Sequence, residues 1–180
     1  MLYNVGYIIV VSFSPILLAE SGLAAASAAM VASAATWPLV AAVPIGGLIA
    51  DRTGRGDAVI LACLAAMAVT IPLLLLAPSP LAMLAIVGLL TGPPAGIIMG
   101  LVPQVLRPAA RNLGMGIYFT WYYLGMAVLP VIAGWCRDAS AVESAPLLFA
   151  SVLLVLALAC LRLFRQLAQR LEPWAEQADV

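Results

Sequence analysis

The chain has 180 residues, 65% of them hydrophobic and 9% charged, with a formal net charge of zero. A soluble domain carries about 25% charged residues to cover itself in water, so this composition excludes a water-exposed globule and fits a bilayer. Lysine and histidine are absent, and no basic face interleaved with aromatics occurs, which excludes a nucleic-acid surface.

The first apolar segment spans about residues 3–19. A signal peptide opens on a positive stretch, but Met1 to Tyr7 holds no Arg or Lys, so this segment reads as a retained transmembrane helix. The chain enters it with no polar leader, which points to a start inside a longer ancestral protein. Glu20-Ser21-Gly22 ends it with a charge and a helix-stopping glycine. A second segment covers 24–50. After a short polar loop, a third runs over 58–77, with Asp57 expected as its N-cap. Pro78-Ser79-Pro80 stops it, because proline cannot continue a helix. The fourth covers 81–103. Arg107 to Asn112 forms the next polar loop, with Asn112 expected to cap the fifth segment, 113–135. Arg137 to Ser144 precedes the sixth, 146–164, and 165–180 reads as a tail. Each segment is near the roughly 20 residues that a 30 Å hydrocarbon core requires. The expected fold is therefore an all-α membrane protein with six transmembrane helices.

Six spans place Arg52, Arg55, Arg107, Arg111, Arg162, Arg165 and Arg170 on one side and Arg137 alone on the other. Positive residues stay cytoplasmic, so both termini are expected in the cytoplasm, in the cell's inner (plasma) membrane. The tail arginines can snorkel to lipid headgroups.

Catalytic chemistry is not in view. Cys63, Cys136 and Cys160 are odd in number and widely spaced, which argues against a disulfide framework or a zinc site. The sequence offers no nucleophile–base pair and no metal cluster, and Gly54-Arg55-Gly56-Asp57 lacks the Lys-Ser/Thr ending of a phosphate loop. No cofactor, no metal and no enzyme activity are expected. No ionisable residue lies in the middle of a span, so no proton relay is visible.

The most specific stretch is Gly47-Leu48-Ile49-Ala50-Asp51-Arg52-Thr53-Gly54-Arg55-Gly56. Asp51 sits near the negative end of the second helix, where a carboxylate is unfavourable, so it needs a partner: Arg52, Arg55 or the N-terminus of another helix. Gly47 is expected to admit a neighbouring helix, and Gly54 to permit a sharp reversal. By residue type alone this is a solvated polar turn or a motif. The stretch resembles the loop between the second and third helices of a major facilitator superfamily repeat, roughly Gly-x-Leu-Ala-Asp-Arg-x-Gly-Arg-Arg. Gly47, Ala50, Asp51, Arg52, Gly54 and Arg55 match in register, Ile49 replaces Leu, and Gly56 replaces the last basic residue.

That resemblance implies one six-helix half of a twelve-helix transporter, most like the C-terminal half. It also implies a cytoplasmic latch in the matching loop residues and secondary transport of a small organic solute by alternating access. In such folds the solute sits at the midplane between halves, so six helices call for a homodimer or a second half as partner, alongside the lipid bilayer. The alternative is a non-transporting membrane fragment or scaffold.

The fourth segment carries Gly88, Gly92, Gly96 and Gly100, a four-residue spacing that puts small residues on one face for close helix packing. Pro93 and Pro94 in its middle are expected to kink or break it, either for packing alone or for a moving, cavity-lining helix. The fifth segment, which resembles the fifth or eleventh helix of the superfamily, holds Tyr118, Thr120, Trp121, Tyr122 and Tyr123. The first holds Tyr3, Asn4, Tyr7, Ser12 and Ser14. Tyr7, Ser14, Tyr118, Trp121 and Tyr122 are the candidate substrate-cavity residues, since hydroxyls and rings can orient a small solute. The competing reading is an interfacial aromatic belt, and for Tyr3 and Asn4 the two stand level. Ser14, Ser27, Ser33, Thr36, Tyr118 and Tyr122 mark the face expected to meet a second bundle.

Overall fold

The structure, a computed structural model, describes residues 1–101 and 111–178, and the side chains of these except at 100–101 and 167–178. Seven helices are described: α1 (Leu2–Glu20), α2 (Ala25–Ser33), α3 (Thr36–Thr53), α4 (Gly56–Leu73), α5 (Pro80–Leu101), α6 (Arg111–Ser140) and α7 (Ala145–Ala178). With α2 and α3 taken together, six stretches are long and apolar enough to cross a membrane. The chain is an all-α membrane protein of six spans.

The helix ends follow from single residues. Ser21 closes α1 by donating its hydroxyl to the Leu18 carbonyl, and Gly22 takes a left-handed φ of 103°. The α2–α3 interruption traces to Pro38, which has no N–H for the Ala34 carbonyl. The Ala34 and Ala35 amides bond three residues back, to Val31 and Ala32, so the turn tightens while the backbone stays right-handed. Gly54, at φ 63°, ends α3 and bonds back to Ala50. That early reversal starts α4 at Gly56, with Arg55 at the cap position. Asp57 is therefore not the N-cap that its type suggests but the second residue of the helix. Asn112 likewise lies inside α6, one residue past its start. The rest of the loop before it, including Arg107, lies outside the described residues.

Helix α5 runs unbroken through Pro93 and Pro94, against the expected break. The reason lies in its contacts. A Cβ at Gly88 would sit 1.9 Å from the Ala35 carbonyl oxygen, one at Gly92 2.3 Å from the Ala42 Cβ, and one at Gly96 2.3 Å from the Val43 oxygen. A Cβ at Gly46 would sit 2.2 Å from the Pro93 Cα. The glycine face of α5 and the Gly46 face of α3 thus meet backbone to backbone, and this contact holds the proline pair in line. A Cβ at Gly47 would meet nothing within 4 Å, so it is Gly46 whose missing side chain the close approach requires, one residue earlier than expected. The surroundings of Gly100 lie outside the described residues. In lipid no hydrophobic force drives helices together, so contact of this kind is what joins them.

Helix α4 packs between α5 and α7, and α1 packs against α7 and α2 with α6 beside it. Val5, Ile9, Val10, Met67, Ile71, Leu84, Leu147 and Leu154 form the centre. Helix α6 is peripheral and buries only Gly125 and Ala133 fully. Among the described residues, two ion pairs tie the bundle at opposite ends: Arg165 of α7 with Asp57 of α4, and Arg137 of α6 with Glu20 of α1.

Candidate functional site

Two polar regions stand out from the apolar bundle. The first surrounds the α3–α4 turn. Gly54 reverses the chain, Thr53 donates its hydroxyl to the Ile49 carbonyl, and the Arg55 amide bonds to the Thr53 hydroxyl. A cleft of about 430 Å³ opens beside the turn, lined by Gly47, Asp51, Arg55, Asp57, Gly96 and Arg165 among others. Asp51 is exposed on the last turn of α3. Among the described residues no cation reaches it at ion-pair distance; the two pairs there use Asp57 and Glu20. Arg52 and Arg55 are exposed as well. The turn thus presents a carboxylate at an unfavourable helix end, open to a partner from outside the bundle.

The second region lies where α1 runs parallel to α6. Asn4 donates from its amide to the Tyr122 hydroxyl at 2.6 Å and lies 3.6 Å from the Met126 sulfur. Tyr118 stacks on Tyr122 with ring centres 6.0 Å apart, and Phe119 meets both edge-on. Tyr118 and Tyr122 are half-buried, so their polar ends reach the edge of the bundle. One turn along α1, Tyr7 is buried and its hydroxyl lies 3.4 Å from both the Ala35 carbonyl and the Thr36 hydroxyl.

The sequence candidates therefore divide. Tyr118 and Tyr122 come together by stacking, and Asn4 bonds to Tyr122. Tyr7 faces the α2–α3 interruption instead. Trp121 is exposed on α6. Ser14 is buried near the other end of α1, beside a space of about 20 Å³ lined by leucines and Pro80, and its hydroxyl has no partner among the described residues. Ten residues of helix, about 15 Å, separate it from Asn4. Sequence reasoning missed both ion pairs. A signal existed for one: Arg137 is the lone base expected at its end, where Glu20 is one of few acids.

The Major Facilitator Superfamily model matches residues 1–178. The chain belongs to that superfamily. It is a membrane transporter of the major facilitator type, with six spans in the described residues. No curated protein and no solved structure matches it. Among the described residues, the exposed Asp51 and the α1–α6 edge are two places where the bundle faces outward with polar chemistry.

Proposed function

We propose that the chain moves a small organic solute by alternating access, as one half of a secondary transporter that works with a second six-helix bundle. That bundle is another chain or a second copy. The observation that carries this reading is the Asn4–Tyr122–Tyr118 cluster, half-buried at the edge that α6 leaves open. A polar cluster at such an edge gains by facing a cavity rather than lipid. Asp51, Arg52 and Arg55 then act as a latch at the cytoplasmic end, breaking and reforming contacts with the second bundle.

Uptake into proteoliposomes, screened over sugars, amino acids, organic cations and carboxylates, tests the reading directly. Tyr122→Phe removes the acceptor of the Asn4 amide while keeping the ring. It should lower uptake about fivefold, the worth of one hydrogen bond near 1 kcal/mol. Uptake of none of these solutes, alone or after co-expression with partner bundles, would favour a non-transporting membrane protein.

The orientation is testable apart from transport. In a cysteine-free background, a cysteine at Gly54 should react only with a reagent on the cytoplasmic side, and one at Ser140 only from outside. Labelling of position 54 from outside would reverse the topology.

A further inference from the structure

The second span has one open stripe along its length: Met30, Ser33, Trp37, Val40, Pro44 and Leu48, spaced three or four residues apart, with Thr36 beside it. Apolar side chains on such a stripe suit lipid. Its centre does not. Trp37 is 77% exposed, and its indole N–H has no hydrogen bond among the described residues. Ala34 is nine residues past the start of α2 at Ala25, about 14 Å along the axis, close to the middle of a 30 Å core. Tryptophan ordinarily sits at the membrane interface, so Trp37 at this depth needs a different neighbour.

The hydrogen bonds around it leave acceptors in excess. The Ser33 hydroxyl already donates to the Met30 carbonyl at 2.6 Å, so only its lone pairs remain. The Thr36 oxygen lies within reach of the Tyr7 hydroxyl and keeps a lone pair and its own proton. The Ala34 carbonyl has lost its helix donor to Pro38. A carbonyl, two hydroxyl oxygens and the π face of an indole are thus gathered at one depth.

We infer that this interruption in the second span is a recognition site for the ammonium group of an amine solute. An ammonium brings three donors and no acceptor, which matches a set rich in acceptors. Its charge is attracted to an indole face, the strongest of the aromatic rings for this. A carboxylate would find two donors, the Thr36 hydroxyl and the indole N–H, but it would also face the Ala34 carbonyl, the Ser33 lone pairs and the negative ring face, so it fits less well than an ammonium. A lipid ammonium belongs at the headgroups and does not reach mid-depth, so the ligand is a solute. The inference rests on the transport reading for its purpose, while its test is a binding measurement that needs no flux.

The test uses the full chain in nanodiscs with three matched probes: phenethylammonium, 2-phenylethanol and 3-phenylpropanoate. Binding is read by equilibrium dialysis against empty nanodiscs. The ammonium probe should bind about tenfold tighter than the alcohol, and the carboxylate weakest. Thr36→Val and Trp37→Leu should each weaken ammonium binding and leave alcohol binding nearly unchanged. Pro38→Ala restores an N–H to the Ala34 carbonyl and favours the helix, so its loss of ammonium binding would not reflect unfolding. Equal binding of ammonium and alcohol, tightest binding by the carboxylate, or full ammonium binding by Pro38→Ala overturns the site. So does disulfide crosslinking of Trp37→Cys between copies that bind no ammonium, because a second bundle then covers the stripe. Solute flux without ammonium preference removes this site and keeps transport; ammonium binding without flux does the reverse.

Discussion

Gly88→Ala should cost the chain its native packing, whereas Gly116→Ala should do no harm. Both lie on helices, and in isolation alanine is the better helix former by about 1 kcal/mol. The difference is what the new methyl meets. At Gly116 nothing lies within 4 Å, and at Gly88 the Ala35 carbonyl oxygen is 1.9 Å away. That oxygen belongs to backbone, so no rotamer change relieves the clash. Helix α5 must back away from the α2–α3 span, and the contacts at Gly92, Gly96 and Gly46 open with it. Overpacking ordinarily costs about 1–3 kcal/mol. Here the cost falls on the contact that joins two spans in a solvent with no hydrophobic drive to restore it. Thermal unfolding in mild detergent, followed by circular dichroism, should show Gly88→Ala melting well below the parent and Gly116→Ala at or slightly above it. Equal melting of the two variants would mean that the α3–α5 contact is not what holds these spans.

Gly54→Val should be the second most damaging change, and Gly54→Asn should be tolerated. No atom lies within 4 Å of the Gly54 Cβ position, so side-chain volume is not the issue. Its φ of 63° is. A left-handed residue with a Cβ costs about 1–2 kcal/mol, most for a branched side chain and least for asparagine, which visits this region readily. The valine variant must change the turn that sets the start of α4, and with it the reach of Asp57 to Arg165. Loss of melting temperature with valine but not with asparagine checks the backbone origin of the effect. Equal losses with both would point to a bound neighbour crowding the turn.

The spans were legible because each rests on a local cause: a run of apolar residues ended by a proline, glycine or charge. The glycine ladder was legible for the same reason, since a four-residue spacing fixes a helix face whatever it meets. Register between helices was not. Gly46 and Gly47 are equivalent by type, and only the rotation of α3 against Pro93 selects Gly46. The end of α6 gave no warning either. Ala141 adopts a left-handed φ of 54° where glycine is usual, and Cys136 to Ser140 stay helical behind it. At the site, Asn4 and Tyr122 were separate polar residues on two helices. Their union depends on α1 and α6 lying parallel, a tertiary fact that no window of sequence contains. Asp57 was misplaced because its suitability as a cap is local, while the position of the cap is set by the turn at Gly54.

The two fastenings between α1 and α6 have a mechanical consequence. Asn4 grips Tyr122 near one end and Glu20 pairs with Arg137 near the other. Two rods joined at a single point can pivot or slide; joined near both ends, they behave as one beam. A push on the tip of α6 therefore arrives at the opposite surface as a tilt of the whole pair. Cutting either fastening alone, by Asn4→Ala or Glu20→Gln, turns the beam back into a hinge.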